Sequence, residues 1–338
     1  MKILVTGGLG YIGSHTVVCL NEIGFDVIIV DNLSNSEFSV LEKINKITGK
    51  KNIFENIELT DKIQVQKFFN KYSEIDGIIH FAALKSVGES VINPLKYYQN
   101  NIDSLINILN QAQKKNINNF IFSSSCAVYG EPSKLPITEK DPFKNATSPY
   151  GYTKQIGENI TNDISKIIND FNSIILRYFN PIGAHSSLLI GELPIGNPQN
   201  LIPMITQTVS GKYPFLKIYG SDYPTIDGTC VRDYIHVMDL ASAHVLSLKK
   251  LFDSKPKINE VFNVGTGKGN SVLEIINSFE RVNNVKVKYK FSTRRAGDVI
   301  SAYAATDKIF KELKWKPQFS LDEALISAWK WQTILNIN

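Results

Sequence analysis

Residues 2–13 read Lys2-Ile3-Leu4-Val5-Thr6-Gly7-Gly8-Leu9-Gly10-Tyr11-Ile12-Gly13. A short aliphatic run is followed by Gly7, Gly10 and Gly13, and then by residues with helical spacing over 14–23. Strand, tight turn, helix is the order in which backbone binds a pyrophosphate. Glycine permits the turn and the close approach, and the helix N-terminus offers unpaired N–H groups with a partial positive charge. The next predicted strand, 27–31, ends in Asp31. A carboxylate there accepts hydrogen bonds from ribose hydroxyls and repels a 2′-phosphate, and no arginine stands nearby to receive one. The expected dinucleotide is NAD rather than NADP.

Outward from this stretch the alternation repeats. Further β-branched runs fall at 77–81, 119–124 and 173–177, with helical spacing over 64–72, 95–114 and 151–169 between them. Strands alternating with helices predict a parallel sheet covered on both faces, and right-handed crossovers make it a doubly wound, Rossmann-type α/β domain. After Pro181 the chain turns irregular, rich in Gly, Pro and turn residues, with one helical stretch near 201–210. Loops of that length in a compact chain usually bind something. Periodicity returns over 234–250 and in a strand at 261–264. The expected division is a cofactor domain over 1–180, rejoined by 233–265, and a smaller mixed α/β substrate-binding domain over 181–338.

Composition narrows the function. The 338 residues are 43% hydrophobic and 20% charged, as in ordinary globular proteins, and the net charge of +5 is spread among interleaved acids. No basic stripe of the nucleic-acid-binding kind appears, so a nucleic-acid partner is not expected. No apolar run approaches the ~20 residues that span a bilayer, and no membrane association is expected. Cys19, Cys126 and Cys230 are far apart, with no C-x-x-C and no His/Cys cluster at metal-ligand spacing. No metal is expected. A reduced, cytoplasmic protein is, the N-terminal residues lacking a secretory h-region.

The chemistry concentrates in Ser148-Pro149-Tyr150-Gly151-Tyr152-Thr153-Lys154. Tyr150 and Lys154 stand four apart at the start of a predicted helix, which sets phenol and ammonium on one face. A phenolate near neutrality requires a shift of roughly 3 units, about 4 kcal/mol. A lysine charge ~5 Å away in an effective dielectric of ~20 provides about 3 kcal/mol, and a cationic nicotinamide ring the remainder. Ser125 follows the strand at 119–124, at the sheet end where ligands gather, and its hydroxyl can bond both a substrate oxygen and the phenol. Cys126 reads as a small buried residue rather than a nucleophile.

Taken together these motifs resemble the UDP-glucose (UDP-galactose) 4-epimerases of the extended short-chain dehydrogenase/reductase family. The likeness is carried by Thr6-Gly7-Gly8-Leu9-Gly10-Tyr11-Ile12-Gly13-Ser14-His15, by Asp31-Asn32-Leu33-Ser34-Asn35-Ser36 and by His80-Phe81-Ala82-Ala83-Leu84-Lys85. It extends to Ser123-Ser124-Ser125, to residues 177–185 (Arg-Tyr-Phe-Asn-Pro-Ile-Gly-Ala-His) and to residues 228–236 (Gly-Thr-Cys-Val-Arg-Asp-Tyr-Ile-His). The resemblance implies a tightly held NAD and a UDP-hexose oxidised at C4, turned over and reduced on its other face. Tyr150 is then the base, Ser125 its companion and Lys154 the tuning cation. Tyr11, Ile12, residues 31–36, Phe81, Ala82, Ala83, Leu84, Lys85, Asn100 and Phe179 are implied NAD contacts. Asn180, Asn200, Leu201, Lys217, Ile218, Tyr219, Arg232, Arg295 and Asp298 are implied UDP contacts. Glu58-Leu59 departs from the family's Asp-Ile or Asp-Leu, the longer carboxylate still accepting the adenine amino bond.

Related chemistries place an Asp-Glu pair (4,6-dehydratases) or a Glu (UDP-glucuronate decarboxylases) where this chain has Cys126 and Ala127, which shuttle no proton. A UDP-glucuronate 4-epimerase is the nearest rival, and a non-catalytic NAD-sensing regulator the more distant one. Ala302 stands where some members carry a bulky tyrosine, which implies acceptance of the N-acetylated UDP-sugars; a one-residue slip putting Tyr303 in that space is the alternative. The family's dimers imply a homodimer. Apolar faces on 95–114 and 151–169 (Ile102, Leu105, Ile106, Leu109; Ile156, Ile160, Ile164, Ile167) are available to core and partner alike.

Overall fold

The computed structural model describes residues 1–254, 257–295 and 297–336. Strands β1 (Lys2–Thr6), β2 (Asp26–Asp31), β3 (Ile53–Asn56), β4 (Gly77–His80), β5 (Asn119–Ser123) and β6 (Asn172–Tyr178) alternate with helices. Then come β7 (Asn180–Ile182), β8 (Leu216–Tyr219), β9 (Val231–Arg232), β10 (Tyr234–His236), β11 (Asn259–Val264), β12 (Asn270–Ser271), β13 (Tyr289–Ser292) and β14 (Ser301–Ala302). Seven strands form the central sheet in the order β11-β6-β5-β4-β1-β2-β3. Every pairing in it is parallel.

Alternation along each strand divides the aliphatic residues between two cores, as a sheet buried on both faces requires. Ile3, Val5, Ile29, Ile79, Ile121 and Leu176 face one side, where they meet Val17 and Leu20 of the helix Tyr11–Glu22 and Leu240 and Leu248 of the helix Val237–Asp253. Leu4, Ile28, Ile78, Phe120 and Ile175 face the other, against Phe68 and Phe69 of the helix Lys62–Lys71 and Leu105 and Ile108 of the helix Ser104–Lys114. Because all seven strands run the same way, their C-terminal ends share one edge. Gly7, Asp31, Phe81, Ser125 and Phe179 all follow or end strands there.

After the irregular segment the chain returns to the sheet, β11 pairing with β6. The helix Asp307–Leu313 also packs here, through Ile309 and Leu313. A separate core holds the smaller lobe: Ile182, Ile202, Leu216, Ile218, Ile275, Phe279 and Leu325. Two of its helices open with reciprocal capping boxes, Ser271 with Glu274 and Ser320 with Glu323. The seam between the lobes is hydrogen-bonded through fully buried Asp233, whose carboxylate accepts from Thr266 N (2.8 Å), Thr266 Oγ1 (2.6 Å), Gly267 N (3.0 Å) and Ala304 N (3.1 Å).

Two expectations about elements are corrected. The single helix over 95–114 is a helix Pro94–Tyr98, a π-helical turn Gln99–Asp103 and a helix Ser104–Lys114. A single π turn between two α-helices reads as one helical stretch, because each side keeps its own α-helical spacing. The stretch 234–250 is strand β10 and a helix Val237–Asp253, divided where the His236 side chain accepts from Met238 N at 3.1 Å. Strand β3 and the helix Ser39–Thr48 were not anticipated, the strand being a partly exposed edge without the aliphatic run of its neighbours.

Candidate active site

At the end of β1 the chain turns with Gly7 at φ +67°. A Cβ on Gly7 would lie 2.9 Å from Ala82 N, and one on Gly13 would lie 2.3 Å from Gly7 O. No side chain other than hydrogen fits at 13. Gly10 caps the helix Tyr11–Glu22 with no side-chain hydrogen bond, and its first turn carries no acidic residue. Backbone donors at an uncompensated helix N-terminus suit an anionic diphosphate. An open cleft of about 380 Å³ borders this turn, lined among others by Gly10, Tyr11, Asn35 and Ser36.

Asp31 ends β2 buried. Its Oδ2 accepts from Leu9 N (3.1 Å) and its Oδ1 from Leu33 N (3.0 Å) and Ser36 Oγ (2.7 Å). The carboxylate expected to meet ribose hydroxyls therefore also ties the glycine turn to the loop after β2. Asn32 accepts from Ser34 N and donates to Glu58 Oε2 at 2.8 Å. Glu58 Oε1 accepts from Thr60 N and Thr60 Oγ1. Leu59 packs its side chain into the sheet core, which leaves only its backbone for the nucleotide contact expected of it.

The loop after β4 runs from Phe81, 4.6 Å from the His244 ring, through Ala82 and Ala83 to Leu84 and Lys85, which pairs with Glu192 at 3.5 Å. Asn101, which the sequence reading passed over, holds this loop in place. Its Oδ1 accepts from Leu84 N (2.8 Å) and from Asn100 Nδ2 (2.9 Å), and its Nδ2 reaches Leu84 O and Thr153 Oγ1, both at 3.0 Å. Two adjacent asparagines within an apolar helical pattern were the available signal.

The helix Pro149–Ile167 starts with Pro149 in its first turn and the Ser148 hydroxyl accepting from Gly151 N at 3.2 Å. Tyr150 and Lys154 are buried on its inner face, and Lys154 Nζ donates to Ser123 O at 2.7 Å. The ammonium stands 5.1 Å from the Phe122 ring centre and 6.0 Å from that of Tyr150. Ser125 caps the turn Cys126–Tyr129, its hydroxyl accepting from Ala127 N at 3.2 Å.

Burial dominates the electrostatics. It drives the Tyr150 phenol well above its ordinary value, a rise that the Ser125 hydroxyl opposes. Burial also pushes the Lys154 ammonium down to about 8. The sequence arithmetic, which had lysine supplying most of the shift, therefore overstates its part, because desolvating a phenolate costs more than one partly depressed ammonium returns. The pair calls for a second cation beside the phenol, a requirement that an oxidised nicotinamide satisfies.

On the smaller lobe, Arg295 forks onto Asp298 (Nε to Oδ2 3.1 Å, Nη2 to Oδ1 2.7 Å), and Arg232 Nη2 approaches Asp298 Oδ1 at 3.8 Å. The Arg295 guanidinium also lies over Tyr219, 5.4 Å from the ring centre. Two guanidiniums sharing one carboxylate leave a net positive charge suited to a diphosphate. Lys217 and Tyr219 are exposed on β8, but Ile218 alternates inward and is 1% exposed in the lobe's core. Its side chain cannot touch substrate. Asn200 precedes the helix Leu201–Val209 and donates to Glu192 Oε1 at 2.6 Å, while Asn180 N bonds Asp233 O. Ala302 pairs in register with Arg232 and packs with Phe179, Val128 and Tyr129. The Tyr303 ring lies against Gly269. Among the described residues no group of three or more His, Cys, Asp or Glu can hold a metal ion.

The chain belongs to the NAD dependent epimerase/dehydratase family, whose profile matches residues 3–265. It is 46% identical over 338 residues to the UDP-glucose 4-epimerase of Bacillus subtilis, covering 100% of this chain and 98% of the relative. Among solved structures it is similar to the UDP-glucose 4-epimerase of Stenotrophomonas maltophila with bound NAD and formylated UDP-arabinopyranose (TM-score 0.95, 44% identity, 100% and 99% covered). It also resembles the UDP-Glc/GlcNAc 4-epimerase of Campylobacter jejuni (TM-score 0.84, 36% identity, 98% and 99% covered).

The contact at Gly13 yields a direct test. Gly13→Ala forces the turn apart, and the purified variant is expected to carry at least ~10-fold less nucleotide than the unaltered protein. Acid release and chromatography of the bound cofactor measure it, and full retention would remove the assignment of this turn.

Proposed function

We propose that this protein interconverts UDP-glucose and UDP-galactose by inverting C4, with NAD bound to the larger lobe and the UDP-sugar held by the smaller one. The observation that carries the reading is the inner face of one helix. Tyr150 and Lys154 lie buried there, with Lys154 Nζ on the Ser123 carbonyl at the end of β5, and Cys126, next to Ser125, packs on the cluster that holds Ala302, the register partner of Arg232. This packing leads from the candidate proton-transfer group to the candidate diphosphate-binding pair.

Bound NAD supplies reversible hydride exchange at sugar C4, so that a 4-keto sugar reduced on its other face emerges inverted. Tyr150 withdraws the proton of the 4-hydroxyl and later returns it. Ser125 hydrogen-bonds the same oxygen, and Lys154, aimed by the Ser123 carbonyl, biases the phenol toward its anion. Arg232 and Arg295 grip the diphosphate, leaving the hexose free to turn about its link. Neither Cys126 nor Ala127 can act as the extra acid or base of an elimination. A sensor without catalysis has no use for the trio, and no feature selects a hexuronate over a hexose.

Substrate range extends, in this reading, to UDP-GlcNAc and UDP-GalNAc. Ala302 presents only a methyl group beside Arg232, and Tyr303, which a slip of register would bring into that space, is turned onto Gly269.

The proposed partner is a second copy of this chain. Leu105 and Leu109 are spent on the sheet core, but Leu95 (80% exposed), Ile106 and Tyr152 are uncovered on the helices Pro94–Tyr98, Ser104–Lys114 and Pro149–Ile167. The proposed compartment is the cytoplasm. Cys19, Cys126 and Cys230 are unpaired, and burial raises the Cys19 thiol to about 12.

Three outcomes are expected. Tyr150→Phe lowers UDP-galactose turnover by about 10²–10⁴-fold with NAD retained; near-normal turnover by that variant removes Tyr150 from the chemistry. The unaltered enzyme interconverts both acetylated and unacetylated pairs, whereas Ala302→Tyr keeps only the latter. Conversion of the unacetylated pair alone by the unaltered enzyme defeats the range argument. Sedimentation at micromolar concentration gives twice the 37.9 kDa of one chain, and a single-chain mass refutes the dimer.

A further inference from the structure

Ser123 ends β5, Ser124 and Ser125 follow it, and the first two bond different turns of the helix Pro149–Ile167. Ser123 O accepts from Lys154 Nζ at 2.7 Å and Ser124 Oγ donates to Glu158 Oε1 at 2.5 Å, while the Ser125 hydroxyl opposes the rise that burial imposes on the Tyr150 phenol. Positions 150, 154 and 158 form one stripe at i, i+4 and i+8. Glu158 is 0% exposed, and Arg177 of β6 forks onto it through Nε (3.0 and 3.1 Å) and Nη2 (2.7 Å). Arg177 Nη1 donates to Tyr129 Oη at 2.9 Å, and the guanidinium lies between the Tyr129 and Phe143 rings, at 4.9 and 5.0 Å.

We propose that Glu158 is a positioning residue of the reaction, pinning through Ser124 and Arg177 the register in which Tyr150 and Lys154 face the serine-rich strand end. The proposal rests on the catalytic reading above. Packing alone does not require an ion pair here, since a buried pair is commonly replaceable by apolar side chains of like volume without loss of stability. What such side chains lack is a directional bond. Apolar contact lets a helix slide or roll by a fraction of a turn, whereas a carboxylate held by one hydroxyl and one guanidinium fork has a single place to sit. Tyr150 lies two turns away on the same rigid helix, so a small roll at 158 moves the phenol relative to Ser125.

Charge provides a second handle. Burial lowers the Lys154 ammonium, and the Glu158 carboxylate opposes that fall. The other ionisable groups around Lys154 are Tyr150 on its own helix, His80 on β4, held neutral by burial at about 3, and Tyr178 on β6, whose hydroxyl bonds Ser123 Oγ at 2.8 Å. Neutralising Glu158 removes the opposing carboxylate. The lysine then loses its proton at lower pH, and the alkaline limb of the kcat profile moves down.

The decisive comparison uses the NAD-loaded protein and UDP-galactose. E158L/R177M keeps the volume and removes the pin. It is expected to fold with bound NAD and a KM within about threefold, but with kcat reduced by at least ~10²-fold, the size of effect a ~1 Å displacement produces. S124A, which leaves the ion pair intact, is expected to lose ~10-fold in kcat by the same cause. E158Q is expected to shift the alkaline limb down by roughly half a pH unit or more. A folded double variant with unchanged kcat overturns the proposal. So does S124A with unchanged kcat together with an unmoved limb in E158Q, even if the double variant fails to fold. An unaltered protein that does not epimerise overturns instead the catalytic reading beneath it.

Discussion

The helix Pro149–Ile167 lies as close to β5 as two residues allow, because a Cβ on Gly157 would stand 2.4 Å from Phe122 Cζ. That approach brings a carbonyl of β5 within 2.7 Å of Lys154 Nζ, deep in the protein where an unmatched ammonium is costly. The other features of the site follow from it. With the helix against the strand end, Tyr150 is buried and its phenol is hard to ionise unless positive charge gathers round it. With the helix farther out, water would reach the phenol and leave an ordinary surface tyrosine. The close packing that makes the group difficult to ionise also makes its ionisation responsive to what is bound beside it.

Polar bonds tie the two lobes at their seam. Asp233 gathers four donors from two segments distant in sequence, next to Arg232, which pairs in register with Ala302. A carboxylate satisfied in that way holds its neighbours to fixed places, since any relative shift strands donors in a water-poor interior. The guanidiniums of the smaller lobe are thereby set with respect to the sheet edge where the larger lobe presents its glycine turn.

Local patterns carried much of this. The spacing of Gly7, Gly10 and Gly13 reflects a steric demand of a few adjacent residues, and aliphatic runs of strand length between helical stretches define a doubly wound sheet by short-range periodicity. The i, i+4 relation of Tyr150 and Lys154 is likewise a property of one helix. The π-helical turn at Gln99–Asp103 escaped because a single wider turn has no spacing signal of its own, and the bonds its Asn101 makes to Leu84 and Thr153 join three segments. Ile218 was counted with Lys217 and Tyr219 among the UDP contacts that the family resemblance implies, and strand alternation turned its side chain into the core.

By itself, then, the sequence determined the fold class, the glycine turn after β1 and the placing of a phenol and an ammonium on one helical face, all of which depend on residues within one or two turns of each other. Only the tertiary structure decided how acidic that phenol is, which of Ala302 and Tyr303 stands beside Arg232, and what holds Asp298 between two arginines. Those properties arise from burial and from contacts between residues far apart along the chain, where the free energy of a charge depends on neighbours that no local pattern specifies.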